Sequence, residues 1–396
     1  MKIEDLETPC FIVKEEELIN NIVNFKSSLN QFFRHNILSY SIKTNSLPFI
    51  LDVAKKNDCF AEVVSYDEYN LAKIIGFNPE KIIYNGPMKN KETFVEALTN
   101  GAYVNIETKR EINWLEDISV KDDMHLGIRI NIDLNSLINN IKGKNDSRFG
   151  FSYENGELKS AINKIRSYGF KKIGIHAHRT SKTRELYVYE SIIHYVSDII
   201  KNMGIELSFF DLGGGYYGNM PNKPTYFDYV ETFSKSFKDT GINMKDITFI
   251  VEPGNALIAS PIDFLSTVID KKLICDQLIC VSDGSRNDID PLFHKTDYFK
   301  HIIKKNTTER ISSQLITGCT CLENDRLFEL HNEEEINIGD KILYECVGAY
   351  TQTLSPNFIR LIPNVYALKD NEYILVRKKW TEKEWIQNCK LEENYV

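Results

Sequence analysis

Between residues 36 and 260 the chain switches repeatedly between two hydrophobic periods. Short apolar runs bounded by turn residues alternate with longer segments whose apolar positions fall three and four apart, the spacing of one helix face. The pattern predicts a first strand through Ile37, Leu38, Tyr40 and Ile42, then strands over Phe60–Val64, Lys81–Tyr84, Ala102–Ile106, Met124–Ile132, Lys172–Ala177, Phe209–Leu212 and Thr248–Val251. Between them it predicts helices over Leu47–Lys56, Tyr66–Ile75, Lys91–Thr99, Arg110–Leu115, Glu157–Tyr168, Glu185–Asn202 and Tyr226–Asp239. A count near eight strand–helix units in about 250 residues matches a TIM (β/α)8 barrel. Ahead of this series, residues 10–14 form a β-type run after Thr8-Pro9. Glu15–Leu29 then places Leu18, Ile22, Phe25 and Leu29 on one helical face.

After residue 260 the helical period fades. Ser266–Lys272, Leu278–Ser282, Gln314–Gly318, Lys341–Glu345 and Glu372–Arg377 read as strands, with turns such as Ile338-Gly339-Asp340 between several of them. This predicts a helix-poor β-sandwich or barrel, and a division into a barrel at 16–260 and a β domain at 1–15 and 261–396. A length of 396 residues suits two such domains. Hydrophobic residues make up 42% and charged residues 26%, and the net charge of −8 gives no basic surface that calls for nucleic acid. No window approaches a membrane span. Eight cysteines, with no signal-like apolar core at the start, predict reduced thiols and a cytoplasmic protein. Cys319-Thr320-Cys321 is too tightly spaced for the usual zinc pair, so no metal site is expected.

Three strand ends carry candidate chemistry. In Tyr40-Ser41-Ile42-Lys43-Thr44-Asn45 a lysine closes an apolar run, and a lysine shielded from water there has a free amine able to hold an aldehyde as a Schiff base. A solvated surface lysine is the bland alternative. In Asp211-Leu-Gly-Gly-Gly-Tyr-Tyr-Gly218, three glycines between strand and helix let backbone N–H groups crowd an anion, or simply make a tight loop. In Val251-Glu252-Pro253-Gly254-Asn255 an acid stands where barrels place catalytic groups, or where a loop salt bridge forms.

In order along the chain, these stretches and several others resemble the fold-type III PLP-dependent decarboxylases, the diaminopimelate/ornithine decarboxylase group. The resemblance runs through Thr8-Pro9-Cys10-Phe11, Tyr40–Asn45, Ala61–Ser65 with Glu68, Arg129, Ser147-Arg148-Phe149-Gly150, His176, Gly213–Gly215, Glu252-Pro253-Gly254, Gly318–Cys321 with Asp325, and Gly348-Ala349-Tyr350 through Asn357-Phe358. It implies an alanine racemase-like barrel that binds pyridoxal 5'-phosphate, with a β domain at a homodimer interface. Lys43 looks like the Schiff-base lysine, His176 the imidazole stacked on the cofactor, and Glu252 the acid on the pyridine nitrogen. Gly213, Gly214, Gly215 and Tyr350 look like phosphate ligands. Glu62, Glu68 and Arg129 look like supporting charges. Cys321 and Asp325 look like groups sent across the dimer interface, with Cys321 a candidate proton donor.

Several positions depart from the family pattern. Asn255 stands where the family commonly has arginine, while Arg179, after His176-Ala177-His178 and before Thr180-Ser181, is an extra guanidinium for phosphate or substrate. Asp290 replaces an arginine that grips a distal carboxylate, and Leu322 follows Cys321 where diaminopimelate decarboxylases have glutamate and ornithine decarboxylases aspartate. Leu322 and the Glu-Pro-Gly-x-Ala pattern look like the carboxynorspermidine branch, which other parts of the chain resemble less. With an aspartate repelling a carboxylate, meso-diaminopimelate is not the expected substrate. The expectation is a decarboxylase of another amino acid or amino-acid conjugate. An amino-acid racemase or epimerase and a silent partner-binding protein of the same fold are the alternatives.

Overall fold

The computed structural model describes residues 2–133, 137, 147–179, 184–218, 220–304, 309–391 and 394–395. Two compact units account for the chain, one of residues 19–257 and one of residues 1–18 with 258–396.

The first unit is a closed barrel of eight parallel strands. A strand of the other unit, β1 (Cys10–Lys14), comes first in the chain. The barrel strands are β2 (Asn36–Ser41), β3 (Phe60–Ser65), β4 (Ile82–Met88), β5 (Tyr103–Ile106), β6 (His125–Arg129), β7 (Lys172–His176), β8 (Glu206–Asp211) and β9 (Thr248–Val251). Each pairs in parallel with the next, and β9 closes on β2 through Ile37 and Ile250. Parallel strands covered on both faces favour near-continuous apolar runs, as in β2, whose last five residues are all buried. Ile37, Ile83, Phe209 and Ile250 meet in the barrel interior, flanked by Phe60 and Tyr103. Phe209 fills this layer because β7 has glycine opposite it: a Cβ on Gly174 would lie 2.1 Å from the Phe209 ring. Burying a side chain of that size contributes about 1.5–3 kcal/mol.

The second unit is built on a nine-stranded sheet, ordered β14-β13-β11-β10-β1-β16-β17, with β15 also on β10 and β12 on β15. Its further strands are β10 (Ile262–Ile274), β11 (Gln277–Ser282), β12 (Lys300–Ile303), β13 (Arg310–Thr317), β14 (Arg326–Glu334), β15 (Lys341–Tyr344), β16 (Asn364–Lys369) and β17 (Glu372–Arg377). The N-terminal strand β1 sits centrally, antiparallel to β10 and parallel to β16. Leu6, Cys10, Ile12, Leu265 and Tyr366 form a core around it. The sheet contains more strands than the apolar pattern predicts, with β12, β14 and β16 added. Strand β10 extends 13 residues because its two ends are held by different neighbours, β1 at the start and β11 at the tip.

Candidate active site

Side chains two apart along a strand share a face, so the barrel's interior can be followed upward in steps of two. Above Phe60, Ile83, Tyr103, Phe209 and Ile250 come Glu62, Asn85, Asn105, Asp211 and Glu252; above Gly127 and Gly174 come Arg129 and His176. An apolar layer is thus capped by a polar one at the C-terminal strand ends, the end at which such barrels place their chemistry. All seven of these polar residues are buried.

Lys43 stands just past β2 in a single helical turn, Ile42–Thr44. The turn is held by the Tyr40 hydroxyl, which donates to the Asn45 carbonyl at 2.8 Å. Lys43 Nζ donates to Ser41 Oγ at 2.8 Å and to Glu62 Oε2 at 2.6 Å. The Ser41 hydroxyl donates to the same Glu62 oxygen at 2.5 Å. Burial works against a charge on Glu62, but the Lys43 ammonium and hydrogen bonds from Lys43, Ser41 and Asn85 outweigh it and hold this carboxyl below its ordinary range.

Opposite lies a pair of acids, Asp211 and Glu252. Burial pushes Glu252 well above the ordinary carboxyl range, and the nearby Asp211 and Glu62 charges add to the shift. Asp211 is pushed up to about 7, chiefly by burial. Two carboxyls in one dry site favour sharing a proton over double ionisation. His176 Nε2 lies 3.7 Å from Glu252 Oε2, but the two are not an ion pair. Burial first, then the charges of Arg129, His178 and Lys43, hold this imidazole well below its ordinary value and therefore neutral. His176, Asp211 and Glu252 lie close enough for one metal ion, with ligand atoms within 4.8 Å. Their oxygens are already engaged, however: Asp211 accepts from Gly213 N at 2.9 Å and Asn105 Nδ2 at 3.1 Å, and Glu252 from Asn85 Nδ2 at 2.6 Å.

The glycine run follows β8. A Cβ on Gly213 would lie 2.2 Å from His178 Nδ1, and its φ of +69° also favours glycine. The N–H groups of Gly213 and Gly214 donate to Asp211 and to His178 Nδ1 respectively, and Gly215 has φ +95°. Arg129 reaches Glu107 at 2.8 Å and lies over the Phe149 ring, so an acid already balances its charge. Glu68 accepts from Val64 N at 2.8 Å at the start of the helix Tyr66–Ile75, and burial pushes it up to about 7. Asn255 opens a four-residue helix behind Glu252. A cavity of about 370 Å³ gathers Lys43, Glu62, Asn85, Arg129, Arg148, His176, His178, Arg179 and Glu252 on its walls. Thr180 and Ser181 lie outside the described residues.

The remaining sequence candidates lie in the β unit. Tyr350 is 40% exposed with φ +57°. Cys321 and Leu322 line an open groove of about 580 Å³ with Lys272, Ile274 and Cys275. Asp325 and Asp290, read from the sequence as substrate-binding acids, are both buried and engaged within this unit. Asp325 accepts from the Thr320 hydroxyl at 2.6 Å, Thr320 N at 3.1 Å and Arg286 N at 2.8 Å. Asp290 accepts from Arg286 at 3.0 Å, from His294 N and Lys295 N at 3.0 Å each, and from Tyr298 at 3.3 Å. Arg286 balances its charge, so the repulsion expected of an acid at this position is largely cancelled.

The cavity suits pyridoxal 5'-phosphate: an amine beside a carboxylate, a proton-holding acid across from it and an uncharged imidazole, with the glycine loop adjoining its His178 wall. Residues 16–259 match the pyridoxal-binding domain of the pyridoxal-dependent decarboxylases. The diaminopimelate decarboxylase of Helicobacter pylori J99 is 25% identical over 390 residues, spanning 94% of this chain and 93% of its own. Among solved structures, diaminopimelate decarboxylase from M. jannaschii with L-lysine superposes with a TM-score of 0.83 at 22% identity, over 99% of this chain and 94% of that one. Lysine/ornithine decarboxylase from Vibrio vulnificus with putrescine gives 0.73 at 19%, over 93% and 96%. Fold, site chemistry and sequence therefore agree that the chain belongs to the pyridoxal-dependent decarboxylase family and is a PLP-dependent amino-acid carboxy-lyase.

Proposed function

We propose that this enzyme removes the α-carboxylate of an amino acid other than meso-diaminopimelate, with Lys43 as the lysine that binds the PLP aldehyde. The observation that carries the role of Lys43 is its place in one cavity with Glu62, Glu252 and His176. When bound, PLP supplies the electron sink for the electron pair left as CO2 departs. Glu62, held ionised, orients the Lys43 amine and is the base nearest to it. Glu252 carries a proton in its buried carboxyl, available to a pyridine nitrogen placed there. His176, neutral and flat, gives a stacking face without adding charge. The Gly213–Gly215 loop takes the phosphate. Arg179 adds a guanidinium to the cavity wall for phosphate or substrate carboxylate, offsetting the family arginine absent at Asn255.

The substrate assignment rests on two positions. Leu322 offers an apolar surface and no acid for a distal ammonium, and Asp290 is turned to Arg286 and offers no cation for a distal carboxylate. A substrate with both distal groups loses both handles, whereas an apolar or conjugated distal part does not. We also infer a homodimer in which Cys321, on a loop shaped by Asp325, completes the partner's site and donates the proton at Cα. Mixed Lys43→Ala and Cys321→Ala proteins should then recover activity that neither has alone.

The deciding experiment is a substrate panel. PLP-loaded protein is given meso-diaminopimelate, lysine, ornithine, arginine, carboxylated polyamines and amino-acid conjugates, and both CO2 and amine are measured. The proposal expects release from a member other than meso-diaminopimelate. Fastest release from meso-diaminopimelate would overturn the substrate assignment.

A further inference from the structure

We propose that Asn85 is a positioning residue of this site. Its amide holds Glu252 in place and ties it to Glu62, so that the acid for the pyridine nitrogen and the acid paired with Lys43 work as one unit. The inference rests on the reading of Glu252 given above.

Asn85 lies on β4 between the two acids, 2% exposed. Its Nδ2 donates to Glu252 Oε1 at 2.6 Å and to Glu62 Oε1 at 3.1 Å. Its Oδ1 accepts from Asn105 Nδ2 at 2.8 Å, and Asn105 Nδ2 also reaches Asp211 Oδ2 at 3.1 Å. The amide orientation follows from chemistry: reversed, Oδ1 would face the ionised Glu62 carboxylate and Nδ2 would face the Asn105 donor. With Oε1 of Glu252 engaged, Oε2 is the oxygen on the His176 side, 3.7 Å from Nε2. An amide does not titrate near neutrality, so Asn85 can join two acids without changing its own charge. A carboxyl at the same position would add a third acid to the cluster. The charged and titratable groups facing Glu252 are Asp211 from β8, Tyr216 just after it, His176 from β7, Glu62 from β3 and Lys43 beyond β2.

The amide's donors favour the ionised form of both acids. Removing them makes both bind protons more tightly, so any transition these acids govern moves to higher pH. The test uses PLP-loaded protein carrying Asn85→Ala or the equal-sized Asn85→Asp, each alone and combined with Glu252→Gln. The readouts are the pH midpoint of the bound cofactor's visible absorbance, kcat and KM for the best panel substrate, and the melting temperature. Asn85→Ala should raise the midpoint by about one pH unit and lower kcat about tenfold, with KM changed by less than about threefold. In the Glu252→Gln background the midpoint shift should shrink to less than about half. Asn85→Asp keeps the shape of the side chain and should move the midpoint in the same direction. A folded variant of either kind with the wild-type midpoint overturns the proposal, as does a full-sized shift in the Glu252→Gln background. A Glu252→Gln protein with wild-type spectrum and turnover overturns the reading of Glu252 itself, and this proposal with it.

Discussion

The barrel mouth and the loops of the β unit both bury several acids, and they treat them in opposite ways. At the barrel mouth Glu62, Asp211 and Glu252 are served by one ammonium, Lys43, and two neutral amides, so Asp211 and Glu252 are both pushed above the ordinary carboxyl range and favour sharing a proton. In the loops, Asp290 is matched by Arg286, and Asp325 is enclosed by a hydroxyl and backbone N–H groups. Acids kept short of cations make a site ready for an incoming cationic ring and amine. Acids neutralised from within set the shape of a loop and present little charge. The polar layer of the barrel mouth and the loops of the β unit are therefore built on different principles within one chain.

The sharpest way to break this comparison is Glu252→Gln. Turnover should fall by about a hundredfold or more while PLP stays bound, because an amide N–H can hydrogen-bond a pyridine nitrogen but cannot protonate it. Stability of the cofactor-free protein should move the other way. The proton affinity of Glu252 is raised on folding, so its contribution is present at low pH and is lost as pH rises from the unfolded carboxyl's value through the folded one. The melting temperature of Glu252→Gln should therefore gain on wild type as pH is raised, and a gain that does not grow with pH would contradict the crowding of acids. Asp325→Ala tests the loop side: leaving Thr320 N and Arg286 N without their acceptor should cost about 2–3 kcal/mol in urea unfolding and reduce turnover with it. Asp290→Ala should cost a similar amount, about 2–3 kcal/mol, since it leaves His294 N and Lys295 N without their acceptor. The freed guanidinium should raise kcat/KM for meso-diaminopimelate relative to the best panel substrate, and an unchanged ratio would show that this pair lies outside the selecting surface. Arg179→Ala should have the smallest effect, about a tenfold rise in KM or faster loss of PLP on dialysis.

The barrel was largely legible because buried parallel strands and amphipathic helices impose opposite periods on the sequence. The β unit was less so. Half of β14 lies in water and carries charge without an apolar period, and β16 is a short buried run identifiable only through its partners β1 and β17. In the site, Lys43, His176 and Glu252 stand at strand ends inside recognisable motifs. Asn85, Asn105 and the carboxyl of Asp211 carry a fainter signal: a polar residue two places after an interior apolar one, repeated from strand to strand. The partner of Asp290 could not be read in the same way. Arg286 faces it only because residues 286–289 make one helical turn, which four residues without an apolar period do not announce.

The central claim is that the lysine after β2 carries the cofactor. Borohydride reduction of the PLP-loaded protein followed by peptide mapping tests it most directly. The expected result is a pyridoxyl group on Lys43 and a Lys43→Ala protein that forms no reducible adduct. A pyridoxyl group on another lysine, with Lys43→Ala still forming the yellow adduct, would contradict it.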